Sequence, residues 1–514
     1  MSDISNFEWR NVHNNLHVRV KHFRTPITDG PDNQDLANAG WEKGLQSLRD
    51  YLSEAESLDA PLRAVGSGWS LSEAAVCSDT MINAAPLDFH LLHLPPDWLH
   101  HQAKPGNYVF AQCGTTIAQL NETLEANGLA LPTSGASNGQ TIVGAAATGT
   151  HGAALKIGGI QDYIVGIHLL CGSNGEYWIE RESDQVASQS LCDRLGAKLI
   201  RNNKLFDAAV VGLGSFGLIH AVMLRVDAKY YLERYRDFFA WETVRNCIGT
   251  LDLGGLPLPH PGVVPDHVEF EFSPYSIKSG TGVASMTVMY RHGARCEGLP
   301  AITGCLTSLY NALSFHWLDD LTDWLPWIIP PFINRTIRIA PEFASVHDCD
   351  TPGKMFGAID LKAEIVMLSC EIGVRLEDAL QTIDTLIDTA GAYPFPGAIG
   401  LRYVKRTPAL LALNKYGVGH GSRFNQTCAV EMTALGSKRT LKFYQKAWKA
   451  LDDAGIPHTF HVGKCNNLDK SGMRSKWGAD VIEDWIAARR SVLATPQSRR
   501  LFSNEMLDRL GMAD

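Results

Sequence analysis

The stretch Pro132–Gly152, PTSGASNGQTIVGAAATGTHG, decides how the chain reads. Of its 21 residues only Pro132, Asn138, Gln140, Ile142, Val143 and His151 are not glycine, alanine, serine or threonine. A run so poor in large side chains contributes little to a core. It suits a place where backbone must approach something closely, and its many N–H and hydroxyl donors suit an anionic phosphate. A tight packing corner between strands is the competing reading.

Upstream, Leu62 to Val65 reads as a short strand running into a second glycine turn, Arg63 to Ser70, RAVGSGWS. It again offers Gly66, Ser67, Gly68 and Ser70 for close approach and hydrogen bonding. Downstream, Gly212 to Gly217, GLGSFG, matches the G-x-G-x-x-G pattern of dinucleotide folds. That reading fails on the residues after Gly217, because Leu218 to Val226 alternates like a strand where such a fold needs an amphipathic helix. Nicotinamide chemistry through this motif stays the weakest option.

Around these loops the pattern is mixed. Residues 35 to 55 carry helical spacing, as do Ile117 to Asn127, Leu376 to Ala390 and Asp480 to Val492. Tyr108 to Gln112, Tyr163 to Cys171, Leu361 to Ile372 and Gln426 to Met432 read as strands. After about Val226 the small-residue runs give way to aromatics and prolines, which predicts a domain boundary: 1–228, then 229–454, then a segment 455–514 returning to the first domain.

At 514 residues and 45% hydrophobic side chains the chain has material for more than one core. Its net charge of −9, with no basic tail, argues against a nucleic-acid partner. Eleven scattered cysteines show no metal or disulfide-framework spacing. They are expected to be reduced, in a cytoplasmic protein with no metal site. Residues 316–333, HWLDDLTDWLPWIIPPFI, are too short and interrupted to cross a bilayer. They read as a buried corner or a lid over a pocket, with peripheral membrane docking the weaker reading.

Three loops in this order, RAVGSGWS, LPTSGASNGQTIVGAAATGTHG and LFDAAVVGLGSFGLI, resemble the FAD domain of the vanillyl-alcohol oxidase and para-cresol methylhydroxylase flavoproteins. The nearest look is that of aldonolactone (D-arabinono-1,4-lactone) and alditol oxidases. Trp9-Arg10-Asn11 and His461-Val462-Gly463-Lys464 resemble short motifs of the lactone oxidases. The resemblance implies an α+β fold: a two-subdomain FAD-binding domain of the PCMH type, plus an α+β cap domain with an antiparallel sheet. It further implies that Val65, Gly66, Ser67, Gly68, Trp69, Ser70, Ser134, Ser137, Gly144, Ala145, Thr148, Gly149, Thr150, His151 and Ile219 hold the FAD. Many relatives carry a flavin-linked histidine where this chain has Trp69, so the FAD is expected to be non-covalent.

For the cap, the sugar-oxidising relatives' Glu-x-Arg stands here as Gly400-Leu401-Arg402, keeping the arginine and losing the acid. Glu431 stands where relatives often place a histidine. A carboxylate between Val430 and Met432 on a strand is costly to bury unless it is paired or functional. The implied reaction is oxidation of a CH–OH group by hydride transfer to flavin N5, with oxygen or another acceptor reoxidising the ring. Glu431 is the expected base with His461 as runner-up, and Arg402 and Lys464 are the expected cations. Glu269 and Glu271, sharing one face of HVEFEF, read as a solvated strand face or as pocket residues. The substrate is expected to be a small alcohol, sugar lactone or polyol. A hydrophobic or aromatic alcohol, or a flavin-binding protein without catalysis, are the alternatives.

Overall fold

A computed structural model describes residues 2–28, 41–280, 282–302, 322–340, 343–357 and 366–514. The first half builds two sheets. In the first, β1 (Ser2–Arg10) and β2 (His17–Thr25) form a hairpin, and β3 (Leu62–Val65) and β4 (Thr80–Asn83) run parallel to β2, in the order β1-β2-β4-β3. The second sheet has six strands: β5 (His90–Leu91), β6 (Tyr108–Gln112), β8 (Ile164–Leu170), β9 (Glu176–Glu180), β10 (Lys198–Arg201) and β11 (Leu218–Arg225), in the order β10-β9-β8-β11-β6-β5. A two-strand ribbon of β7 (Leu129–Ala130) and β12 (Asp227–Ala228) accompanies it.

The sequence expectations for this half hold closely. Leu62–Val65 and Tyr108–Gln112 are strands, Ile117–Ala126 is a helix, and Glu42–Leu58 is the helix read from the leucine spacing; residues 35 to 40 lie outside the described residues. The stretch after Gly217 is the strand β11, pairing antiparallel with both β6 and β8, so the G-x-G-x-x-G turn opens no helix.

The second half is organised by one antiparallel sheet of eight strands. These are β13 (Tyr231–Ala240), β14 (His267–Phe272), β15 (Val283–His292), β16 (Val346–Asp350), β17 (Met367–Arg375), β18 (Gly397–Lys405), β19 (Gln426–Leu435) and β20 (His458–Phe460). Their order is β16-β13-β15-β14-β18-β19-β17-β20. Alternation along each strand separates two chemistries. Phe270, Ile399, Leu401, Val430, Met432 and Ile372 are fully buried. The helices Ala379–Ala392 and Lys438–Asp453 pack against one another beside this sheet, and Phe395 stacks on Phe443 at 3.8 Å. Burying such side chains stabilises by roughly 1.5–3 kcal/mol each. The alternate positions carry Glu269, Glu271, Gly400, Arg402, Glu431 and Glu371.

The chain after Gly455 first adds β20 beside β17 and then packs helices against the amino-terminal half. Buried Arg63 ties these parts together: its guanidinium donates to the carbonyls of Gly214 (3.1 Å), Phe502 (2.9 Å), Ala74 and Leu213. Arg489 likewise donates to Ser215 O at 2.8 Å.

One expectation is overturned. Cys296 and Cys349, 53 positions apart, are joined in a disulfide with their Cα atoms 6.0 Å apart. The return of β16 beside β13 brings the two together, and no local spacing could announce it. The eight other described cysteines are free. Within 316–333, residues 316 to 321 lie outside the described residues. Farther along, Trp324 and Trp327 are 81% and 68% exposed, while Ile329 and Ile333 are buried in the helix Ile329–Ile339. Among the described residues no helix is long and apolar enough to cross a membrane.

Candidate active site

A cavity of about 400 Å³ runs from the glycine loops to the charged face of the eight-stranded sheet. At one end it is lined by Val65 to Leu71, by Ser137, Gly144, Ala145, Thr148, Thr150 and His151, and by Ile219. At the other it meets Arg236, Glu269, Glu271, Glu371, Gly400, Arg402, Glu431, His461 and Lys464. Thirteen of the fifteen residues expected to hold the cofactor therefore line one wall. Ser134 and Gly149 stand apart. The Ser134 hydroxyl is buried and bonds to Asn121 Oδ1 at 3.1 Å, and Gly149 turns with φ +75° against Ala412.

Both loops need their glycines. A Cβ on Gly66 would overlap the Thr141 side chain, and one on Gly139 would overlap the Trp69 indole. The two loops thus press together across the end of the cavity. Thr141 caps the short helix Ile142–Ala147 by accepting from Gly144 N at 3.2 Å. Among the described residues the buried Ser67 hydroxyl has no hydrogen-bond partner, and Ser67 lines the cavity. An orphaned hydroxyl donor beside close-approach glycines fits a group rich in phosphate oxygens. Trp69 is in the wall, with His13 packed edge-on against it at 5.6 Å.

The opposite wall is a row across four neighbouring strands. Glu271 is opposite Gly400, Gly400 opposite Glu431, and Glu431 opposite Glu371. His461 N then donates to Glu371 O at 2.9 Å. Lys464 Nζ bridges the two central acids, 2.5 Å from Glu431 Oε1 and 2.7 Å from Glu371 Oε2. Arg402 pairs with Glu431 and lies 3.4 Å from Glu269 and 3.7 Å from Glu371. Ser369 Oγ donates to Glu431 at 2.7 Å.

These pairings set the ionisation. Burial pushes the Glu431 carboxyl up, but Lys464 and then Arg402 outweigh it and bring its pKa to about 2. Glu371 is likewise drawn well below the carboxylate range against its burial, by Lys464 and His151. Arg402 and Lys464 are raised by the acids they serve despite burial. Glu271 differs. Burial and then the neighbouring Glu269 raise it to about 7, and it has no ion pair among the described residues. His461 is brought down to about 3 by burial and Lys464, and its Nδ1 accepts from Gly463 N at 3.1 Å.

All four catalytic candidates from the sequence, Glu431, Arg402, Lys464 and His461, therefore meet in one place. Glu371 and Arg236 were missed. Glu371 carries the same signal as Glu431, an acid inside the apolar run LSCEIGV, while Arg236 is one of several charges in YLERYRDFF.

Residues 43–179 match the family described as FAD binding domain. The chain carries an FAD binding domain. FAD is its cofactor, and the Ser67 and Gln140 loops lie on the wall suited to it. The chain is 26% identical over 200 residues to a D-arabinono-1,4-lactone oxidase of Yarrowia lipolytica, covering 39% of this chain and 34% of that protein. It thus spans about a third of the length of that yeast relative. A longer match, 26% identical over 414 residues, is to an L-gulono-1,4-lactone dehydrogenase of Mycobacterium tuberculosis, covering 80% of this chain and 83% of that one. Outside the FAD binding domain the likeness is also structural. The fold superposes on cholesterol oxidase from B. sterolicum with a TM-score of 0.71, 12% identity, and coverage of 99% of this chain and 97% of that one.

Proposed function

We propose that the protein is an FAD-dependent oxidoreductase that oxidises a CH–OH group of a small polar donor of the sugar-lactone or polyol class. The observation carrying this reading is the continuous cavity that joins the glycine and hydroxyl loops to the Glu271–Lys464 wall. Bound FAD supplies the two-electron acceptor for the substrate's hydride. Val65 to Ser70, Ser137, Gly144, Ala145, Thr148, Thr150 and His151 would hold it by close approach and hydroxyl donors, and Ile219 would close its side.

Glu271 is the base that takes the hydroxyl proton onto its carboxylate. It is free of ion pairs among the described residues, lines the cavity, and sits near pKa 7, where a carboxylate is basic enough to work and still ionised enough to accept. Glu431 was the expected base, but at about 2 and clasped by Lys464 and Arg402 it is a fixed charge. The row of Arg402, Glu431, Lys464 and Glu371 orients a hydroxyl-bearing donor and compensates charge as the reaction proceeds. His461, neutral and hydrogen-bonded in its own turn, shapes the wall.

A polar donor is favoured over a greasy one because seven charged side chains, Arg236, Glu269, Glu271, Glu371, Arg402, Glu431 and Lys464, line this end of the cavity. Of the Trp-rich segment, neither Trp324 nor Trp327 reaches the cavity. The relatives carry the names oxidase and dehydrogenase for lactones, so oxygen and other acceptors are both candidates for reoxidation. The test is anaerobic mixing of the flavin-loaded protein with L-gulono- and D-arabinono-1,4-lactones, alditols, benzylic alcohols and a sterol. Bleaching of the flavin by lactones or polyols is expected. Bleaching by the sterol or aromatic alcohols alone would reassign the substrate, and none at all would leave a flavin binder.

A further inference from the structure

A second constellation lies on the other face of the eight-stranded sheet. Glu233 on β13 is opposite Tyr290 of β15 and Cys349 of β16. His292 is two residues beyond Tyr290 and His347 two before Cys349, so the period of two places all of them on one face. The cavity residues Arg236 and Glu269, joined through Thr287, have the opposite parity and look the other way. A loop residue, His260, completes the group.

The three imidazoles aim the same nitrogen at one carboxylate. His260 Nε2 and His292 Nε2 are 2.8 and 2.9 Å from Glu233 Oε2, and His347 Nε2 is 2.8 Å from Glu233 Oε1. The donor atoms of Glu233, His260 and His292 all lie within 4.8 Å of one another. Neighbouring rings steady the imidazoles: His260 packs edge-on against Tyr290 at 4.7 Å, and His347 against Tyr235 at 5.5 Å. Glu233 is 6% exposed and the three histidines 36 to 38%, which buries the carboxylate but leaves an approach from solvent. The Tyr290 hydroxyl beside it is buried without a hydrogen-bond partner.

We propose that Glu233, His260 and His292 form a site for a divalent transition-metal ion of the zinc type, with His347 Nε2 holding the other oxygen of the Glu233 carboxylate. Two imidazole nitrogens and one carboxylate oxygen belong to the borderline donor set zinc prefers, and water entering from the exposed side would complete a tetrahedral shell. With metal–ligand bonds of about 2.0–2.2 Å, tetrahedral donors stand about 3.3 Å apart, so the 2.8 and 2.9 Å contacts of His260 and His292 with Glu233 Oε2 need to open by a few tenths of an ångström, and the two ring nitrogens already lie within 4.8 Å of one another. In the neutral rings metal binding takes the tautomer whose single proton is on Nδ1, which leaves the Nε2 lone pair for the metal bond. The ion would clamp the loop bearing His260 onto β13 and β15, while His347 on the edge strand β16 steadies Glu233, in the same neighbourhood as the Cys296–Cys349 disulfide. The other histidine and acid grouping, His151, Glu371 and His461, is a poorer competitor because the Lys464 ammonium already occupies Glu371 at 2.7 Å.

The test uses the flavin-loaded protein, stripped with a chelator and titrated with zinc chloride against a chromophoric competitor. One equivalent should bind, raise the melting temperature, and be reversed by EDTA. His292→Ala with His347→Ala should weaken binding at least about 100-fold. X-ray absorption at the zinc edge of the unaltered protein needs no variant, and should show a nitrogen and oxygen shell of about four ligands with imidazole scattering. No stoichiometric binding, equal binding by the double variant, or a sulfur-containing or hexa-aqua shell would each overturn the proposal.

Discussion

Glu371 and Glu431 face each other across neighbouring strands and share the ammonium of Lys464, at 2.7 and 2.5 Å. Two acids so close would repel in a buried wall, and the lysine and Arg402 turn that liability into a fixed charge array. The outer acid of the same row, Glu271, is left to titrate.

Glu271→Gln should lower the rate of flavin reduction by roughly 10²–10⁴-fold while leaving FAD affinity unchanged. The active form of a base is the unprotonated one. The unaltered protein's reduction rate should therefore rise with pH through about 7 and level off above it. Stopped-flow reduction across pH reads both effects, and a surviving limb in the variant would transfer the base role elsewhere.

Lys464→Met should destabilise the protein by roughly 3–5 kcal/mol at neutral pH, because it leaves two buried carboxylates uncompensated. Both acids have depressed values in the fold, so their contribution is present above the ordinary carboxylate range. It is lost as pH falls toward the value of about 2 held by Glu431. The stability gap between the two proteins, measured by urea unfolding, should therefore shrink on acidification.

Gly400 does not need to be glycine for its backbone, since its φ lies outside the left-handed region. A Cβ there would find its nearest neighbour, Glu271 Cγ, at 3.8 Å. Gly400→Ala should accordingly fold with stability within about 0.5 kcal/mol of the original. Gly400→Glu, which adds an acid next to Glu271, should move the acid limb of the reduction rate upward by about one pH unit. An unmoved limb would separate Glu271 from that titration.

Trp69 occupies the wall where a linking histidine is expected in relatives, and indole offers no such bond. Acid precipitation should release the yellow chromophore into the supernatant. Colour retained in the pellet would point to His13, packed against Trp69, or to His151 as an attachment point.

Much of this site was legible in the sequence because glycine loops and acids in apolar strands violate local rules that ordinary packing respects. Thirteen of the residues expected to hold the cofactor line one cavity together with Glu431, Arg402, Lys464 and the neutral His461. The roles of the acids were not legible. Glu431 and Glu271 look alike in a strand, and their surroundings drive their pKa values apart: Lys464 and Arg402 bring one down against its burial, while burial and Glu269, two residues away on the same strand, raise the other. The histidines at 260, 292 and 347 and the cysteines at 296 and 349 meet through strand order alone, so no spacing rule could find them. Ser134 failed for a plainer reason: a small hydroxyl in a phosphate-like loop can equally serve its own fold.

The turn at Gly463 is stitched on both sides. Its carbonyl accepts from Leu71 N at 2.9 Å and from Ser72 N at 3.2 Å, while His461 N and Cys465 N donate to the β17 carbonyls of Glu371 and Ser369 at 2.9 Å each. The two halves of the molecule are thus sewn along the rim of the cavity, and they cannot gape here without tearing the two backbone bonds on one side of the turn or the two on the other. The 65–72 loop and the acid row on β17 are thereby held at a set separation, so a shift in residues 461–465 would be felt on both walls of the cavity at once.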